Sequence, residues 1–139
     1  MTRHSILRIT AKFMIPHILL FALYVQFHGD FGPGGGFQAG VIFAAGFILY
    51  ALVFGVGAAQ RVLPNGILRA GIAGGVLLFA VVGVISLLLG ENYLNYSPLA
   101  HKAKEGQHLG ILLIELGVGI TVASVMMTVF FTFSTWRNK

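Results

Sequence analysis

Four long apolar stretches constrain this chain more than any other feature of its sequence. They cover residues 6–27, 36–59, 70–90 and 109–133, and each reaches the roughly 20 residues that a helix needs to cross a bilayer. Only 9% of the residues are charged, against about 25% in soluble domains. None of the stretches alternates with the two-residue period of a membrane barrel strand. The sequence therefore predicts an all-α membrane protein in which residues 1–139 form one integral-membrane domain with four transmembrane helices.

The positive charges predict how these helices are oriented. Of the nine Lys and Arg residues, only Lys102 and Lys104 lie in the connection between the third and fourth stretches; the rest lie toward the opposite ends. Because cytoplasmic segments carry the excess of Lys and Arg, both termini are predicted to be cytoplasmic. The net charge of +5 follows from this topology and gives no indication of nucleic-acid binding. The absence of cysteine excludes disulfides and thiolate metal sites.

A glycine-rich connection, FHGDFGPGGGFQAG at residues 27–40, joins the first two stretches on the predicted outer side. It lacks the lysine and the preceding strand of a phosphate-binding loop. In one interpretation it is a tight turn followed by a stripe of small residues, Gly36, Gly40 and Ala44, against which another helix packs closely. In the other, the connection dips into the membrane, where irregular backbone is tolerated only beside protein or water. Its free backbone groups would then meet ions or a partner subunit.

Glu115 is the one carboxylate inside an apolar stretch. An ionisable group at such a position usually faces a cavity or a partner and marks an ion or proton path. The alternative is a structural carboxylate paired with a cation of a neighbouring subunit. His17 is also inside a stretch, directly after Pro16, and is either a proton-path residue or a packing histidine.

Helical spacing groups further residues with Glu115. Lys104, His108, Glu115 and Gly119 are separated by four, seven and four positions, so a continuous helix would place them on one face. His108 could then relay protons toward Glu115. Gly106 is predicted to end a short helix in the preceding loop, which would separate Lys104 from this face. No nucleophile with a neighbouring base and no pair of metal-ligating histidines can be recognised, so no catalytic residue, metal or cofactor is predicted.

The run PGGGFQAG, preceded by LYVQFHGD, resembles the B subunit of Mrp-type multisubunit monovalent cation/proton antiporters. The chain length, the four stretches and the place of the run after the first stretch are similar too. The residues that fit the family pattern are Gly29, Pro33, Gly34, Gly35, Gly36, Phe37, Gln38 and Gly40. One residue departs from it, since Asp30 stands where the family often has histidine.

The resemblance implies a multi-pass subunit of a bacterial inner-membrane complex that exchanges Na⁺, or K⁺, for H⁺. Its partners would be the large A and D subunits and other small membrane subunits. The chain is therefore expected to be a transporter subunit rather than an enzyme, needed for assembly and lining the cation/proton route at Glu115, His108, His17 or Asp30. Two alternatives stay open: a homodimeric proton-coupled exporter, and a purely structural subunit of a related hydrogenase-type complex. Small multidrug exporters carry their glutamate in the first span, whereas this chain carries it in the fourth stretch.

Overall fold

The computed structural model describes residues 2–29, 34–99 and 101–136, and within these ranges the only regular structure is helical. The helices are α1 (Thr2–His28), α2 (Gly36–Phe54), α3 (Val56–Val62), α4 (Asn65–Leu88) and α5 (Ala103–Trp136), with a 3-10 turn at Ser97–Leu99. Four of them, α1, α2, α4 and α5, are long and apolar enough to cross a membrane. The predicted all-α membrane architecture is thus confirmed.

Several boundaries differ from the sequence prediction; α1 and α4, for example, begin at Thr2 and Asn65 rather than at residues 6 and 70. The second apolar stretch is divided at Gly55, whose φ of 100° lies where glycine is favoured, so α2 ends there and the short α3 follows. The prediction that Gly106 ends a separate short helix is wrong. Gly106 lies in the first turn of α5, where its N–H donates to the carbonyl of Lys102 at 3.0 Å. A single glycine costs a helix only about 1 kcal/mol, which the long apolar segment that follows readily offsets.

The four long helices pack side by side in the order α1, α2, α5, α4. Helix α1 meets α5 only weakly, and α1 and α4 form the two edges of the row. We call the end of the row with the α1–α2 and α4–α5 connections the outer end, and the opposite end the inner end, after the predicted orientation. An open row of this kind leaves both of its faces available to lipid or to other subunits.

Small residues allow the helices to approach each other closely, as is usual in membranes. The buried core toward the inner end consists of Ala44, Ala51, Ala59, Leu68, Met127 and Phe131. Many large apolar side chains remain exposed, among them Phe13 and Leu20 on the edge helix α1. Such surfaces are expected where a protein meets lipid tails or another subunit.

The outer connection between α4 and α5 is ordered by its own hydrogen bonds. The Asn95 Oδ1 accepts from the Ser97 hydroxyl at 3.0 Å and from the Gln107 amide at 2.9 Å. The ring of Tyr96 rests on Gly110 of α5, where a Cβ would overlap it. These contacts attach the connection to the outer part of α5.

Candidate functional site

The Glu115 carboxylate lies against the end of α1 and the start of α2. A Cβ built on Gly29 would be 2.8 and 2.9 Å from its two oxygens, and one built on Gly35 would be 3.4 Å from Oε1. The structure therefore brings the carboxylate and the glycine-rich connection together as one site. The sequence analysis had treated them as separate candidates, because 80 positions separate Gly35 from Glu115.

The stripe of small residues on α2 packs against α5 of the same chain. A Cβ on Gly36 would overlap the Glu115 carbonyl oxygen, and one on Gly40 would be 2.7 Å from the carbonyl oxygen of Gly119. Glycine at these two positions is what lets the two backbones touch. The close approach fixes the height of Glu115 relative to the start of α2.

Gly34 and Gly35, which precede α2, are needed for their backbone conformation rather than for close packing. Gly34 and Gly35 have φ values of 156° and 144°, and Gly35 has a ψ of −179°. This region of backbone space is accessible essentially to glycine alone. Gly35 is the cap residue of α2, and its carbonyl accepts the Ala39 N–H at 3.0 Å. The run of three glycines thus combines an unusual backbone path at its first two positions with close helix packing at the third.

The start of α2 also favours a negative charge near Glu115. The first backbone N–H groups of a helix lack intrahelical acceptors, and the helix dipole places partial positive charge there. The Glu115 carboxylate lies beside Gly35, the cap of that helix. The carboxylate therefore lies where the partial charge of the helix start favours a negative group.

The site lies well inside the outer ends of α4 and α5. A Cβ on Gly117 would be 2.9 Å from the Gly75 carbonyl oxygen and 3.5 Å from the Phe79 nitrogen, which sets the register of the two helices. At 1.5 Å per residue, α4 rises about 13 Å beyond Phe79 to its end at Leu88. Glu115 lies about 10 Å inside that end, and about 18 Å inside the start of α5 at Ala103. The end of α1 and the start of α2 are thus recessed relative to the outer ends of α4 and α5.

Gln26 is a further polar residue of this site. It lies on α1 one turn before Gly29, is only 5% exposed, and its Nε2 has no hydrogen-bond partner among the described residues. Its Oε1 lies beside Gly119, one helical turn along α5 from Glu115. Gln26 also lines a groove of about 250 Å³ between α1, α2 and α5, with Ala39 and Phe43 on the α2 side. The sequence analysis did not select Gln26, because a glutamine near the end of a span is ordinary without knowledge of its burial.

The other predicted ion-path residues lie at different positions. His108 is exposed on α5, about 10 Å along the helix from Glu115 toward the outer end, beside Lys104 and Leu112 around a surface hollow. Because α5 is continuous through Gly106, Lys104 and His108 do share its face with Glu115. Asp30 and Pro33 lie outside the described residues.

His17 is not brought to Glu115. It is exposed on α1, where its Nδ1 is 2.7 Å from the carbonyl oxygen of Phe13 and its ring is 4.6 Å from the Phe13 ring. It lies about 18 Å along α1 from Gly29. Phe37 and Gln38 of the motif are exposed in the first turn of α2, and the Gln38 Oε1 would be 3.4 Å from a Cβ on Gly35.

These features define a class: a multi-pass α-helical membrane protein in which the carboxylate of Glu115, inside an apolar stretch, lies against glycines. We call this site, formed by Glu115 with Gly29, Gly35 and Gly36, the joint. Residues 6–128 match a family described as a domain related to the MnhB subunit of Na⁺/H⁺ antiporter. The mnhB2 protein of Staphylococcus haemolyticus (strain JCSC1435), named as an antiporter subunit, is 33% identical over 136 residues, or 96% of each chain. Its namesake in Staphylococcus aureus (strain Newman) is 34% identical over the same share. The chain belongs to the MnhB family, which confirms the resemblance and identifies a multi-pass bacterial membrane protein.

Proposed function

We propose that this chain is a small membrane subunit of a multisubunit antiporter that exchanges Na⁺, or K⁺, for H⁺, and that Glu115 adjoins the cation/proton route. Membership of the MnhB family over nearly the whole chain supports the first part. The contact of the Glu115 carboxylate with Gly29 and Gly35, inside the outer ends of α4 and α5, is the observation that supports the second.

The architecture is that of a subunit rather than of a self-sufficient pump. The helices form an open row instead of a closed bundle around a cavity. One carboxylate inside the apolar stretches, with no lysine at similar depth, is too small a set of ionisable groups to bind and release both a cation and a proton. Neighbouring subunits, among them the large A and D subunits that the resemblance implies, would supply the rest and cover the open faces.

Glu115 has the properties that a route residue needs. Its carboxylate can bind a proton or a monovalent cation, and its charge is favoured by the start of α2. Because its carboxylate contacts Gly29 at the end of α1 and Gly35 at the start of α2, a change of its charge would alter the electrostatic interactions at both helix ends. The exposure of His108, on the same face of α5 nearer the outer end, supports a role for it between Glu115 and the outer solution.

Membership of the MnhB family argues against the alternative of a homodimeric exporter. The alternative of a purely structural subunit is favoured by one observation, the backbone contact of Gly36 with Glu115, which would hold the helices together whatever the carboxylate did. The two roles differ in what they require of the side chain, and a conservative substitution of Glu115 therefore separates them.

The subunit role is tested in everted vesicles from a host that lacks its own Na⁺/H⁺ antiporters. The complete set of subunit genes should give Na⁺-dependent proton exchange, the set without this chain should give none, and this chain supplied from a second plasmid should restore it. A native gel of the detergent-extracted complex reports assembly in parallel. Exchange by this chain alone would contradict the subunit role and favour the exporter.

A further inference from the structure

A pocket at the inner end of the row is lined by several polar side chains and is separate from the joint around Glu115. It lies between α3, α4 and α5 and has a volume of about 360 Å³, within the roughly 300–1,000 Å³ of small-molecule sites. Gln60, Asn65 and Arg69 line it on one side, and Thr135 and Trp136 line it on the other. It is therefore rich in hydrogen-bond donors: a guanidinium, two carboxamides, a hydroxyl and an indole N–H.

No acidic side chain of the described residues balances the positive charge of the pocket. The four acidic residues of the sequence are Asp30, Glu91, Glu105 and Glu115, and none of them belongs to α3, to the start of α4 or to the end of α5. Among the described residues, no Asp or Glu side chain therefore lies with Arg69 at this end of the row. Arg61 on α3 adds a second positive charge nearby without lining the pocket. A ligand that complements this pocket carries negative charge.

The position of the pocket indicates the source of that charge. It lies where two transmembrane helices, α4 and α5, reach the inner end. Trp136 is 77% exposed there, and tryptophan is enriched at the level of lipid headgroups. Arg69 lies one turn above the start of α4, so its side chain can extend along the helix toward the same level. Basic pockets between helices on the cytoplasmic side of a membrane suit anionic headgroups.

We propose that this pocket binds the phosphate headgroup of an anionic phospholipid, with Arg69 as its main ligand and Asn65 and Trp136 as additional donors. The guanidinium offers a planar pair of N–H groups to two phosphate oxygens, which a neutral donor cannot replace. The site is independent of the joint around Glu115, since Thr135 lies about 30 Å along α5 from Glu115.

Trp136 is the only tryptophan among the 139 residues, so its fluorescence reports on this pocket alone. The full chain is reconstituted in bilayers of phosphatidylcholine and phosphatidylglycerol, with either lipid brominated close to its headgroup so that it quenches indole fluorescence. Circular dichroism checks that each preparation has kept its helices. At equal mole fraction, brominated phosphatidylglycerol should quench Trp136 more strongly than brominated phosphatidylcholine, and the preference should persist in high salt, which screens exposed charges.

Arg69→Gln should lower the preference for phosphatidylglycerol about five-fold, which is the change expected when one positive charge near the membrane surface is lost. The matched control is Arg61→Gln, which removes a charge at the same end but outside the pocket and should change the preference less than two-fold at high salt. Arg69→Lys keeps the charge but not the planar pair of donors, so it should give an intermediate value. If Arg69→Gln does not fold, the comparison of Arg69→Lys with the wild type decides.

Several results would overturn the proposal. One is a wild-type chain that is quenched equally by both lipids; another is an equal loss in the Arg69 and Arg61 variants, which would indicate diffuse surface charge. Competition by added inorganic phosphate would show a site for free phosphate instead of a lipid. Unchanged lipid preference together with loss of Arg69→Gln from the assembled complex would assign Arg69 to a carboxylate of a partner subunit.

Discussion

The substitution Gly36→Ala adds one methyl group where α2 and α5 touch. The new Cβ would be 2.8 Å from the carbonyl carbon and 3.0 Å from the Cα of Glu115, and would overlap the carbonyl oxygen. These are backbone atoms, so they cannot move aside as a flexible side chain could. The two helices must therefore separate, and overpacking of this kind costs about 1–3 kcal/mol. The same shift moves the Glu115 carboxylate away from Gly35, so exchange activity should fall as well.

Gly74→Ala is the matched control. Gly74 lies in α4, and a Cβ there would have no neighbour within 4 Å. Alanine should be neutral at this position or stabilise the helix by up to about 1 kcal/mol. The free energy of unfolding in mixed detergent micelles, followed by helicity, measures both variants. A Gly36→Ala chain as stable as the wild type, or a Gly74→Ala chain that loses as much, would refute the packing that fixes Glu115.

Three further predictions test other parts of the account. Gly35→Leu should weaken subunit association on a native gel more than membrane insertion, because leucine cannot readily adopt a φ of 144° beside Glu115; an intact and fully active complex would contradict this. A cysteine at position 92 should be labelled from outside the cell and one at position 138 should not, following the distribution of Lys and Arg; the reverse pattern would invert the topology. Burial raises the pKa of Tyr96 above its ordinary value of 10.0. Stability from its neutral phenol should therefore be complete below pH 10 and lost as the pH rises further, and Tyr96→Phe should reduce that alkaline loss.

The sequence predicted the four transmembrane helices and the family correctly, because both depend on local signals. Hydropathy over about 20 residues identifies a span whatever its neighbours are, and the run from Pro33 to Gly40 is contiguous. The division of the second stretch at Gly55 was not predicted, because a single glycine in an apolar segment does not by itself end a helix. The start of α5 at Ala103 was not predicted either, because its first turns are polar and hydropathy does not mark them as part of a span.

The candidate site could be predicted only in pieces. Glu115 and the glycine run were each recognised, one as a costly charge in a span and the other as a conformationally special connection. Their contact depends on the register between α2 and α5, which follows from packing at Gly36 and Gly40 and has no local sequence signal. Gln26 was missed because its significance rests on burial and on an amide nitrogen without a partner among the described residues. Neither the burial of Gln26 nor the lack of a described partner for its amide nitrogen can be read from its position in the sequence.

The proposal depends most directly on the charge of the Glu115 side chain. Glu115→Gln keeps the shape and the ability to form hydrogen bonds but can neither ionise nor release a proton, so the complex should assemble normally on a native gel. The matched control is Glu105→Gln, which removes an exposed carboxylate of the same helix that pairs with Lys102 at 3.6 Å. In everted vesicles, Na⁺-dependent proton exchange should be lower or shifted in its pH profile for the Glu115 variant, and unchanged for the Glu105 variant. Exchange at the wild-type rate across the whole pH range by an assembled Glu115→Gln complex would contradict the account and make the carboxylate structural.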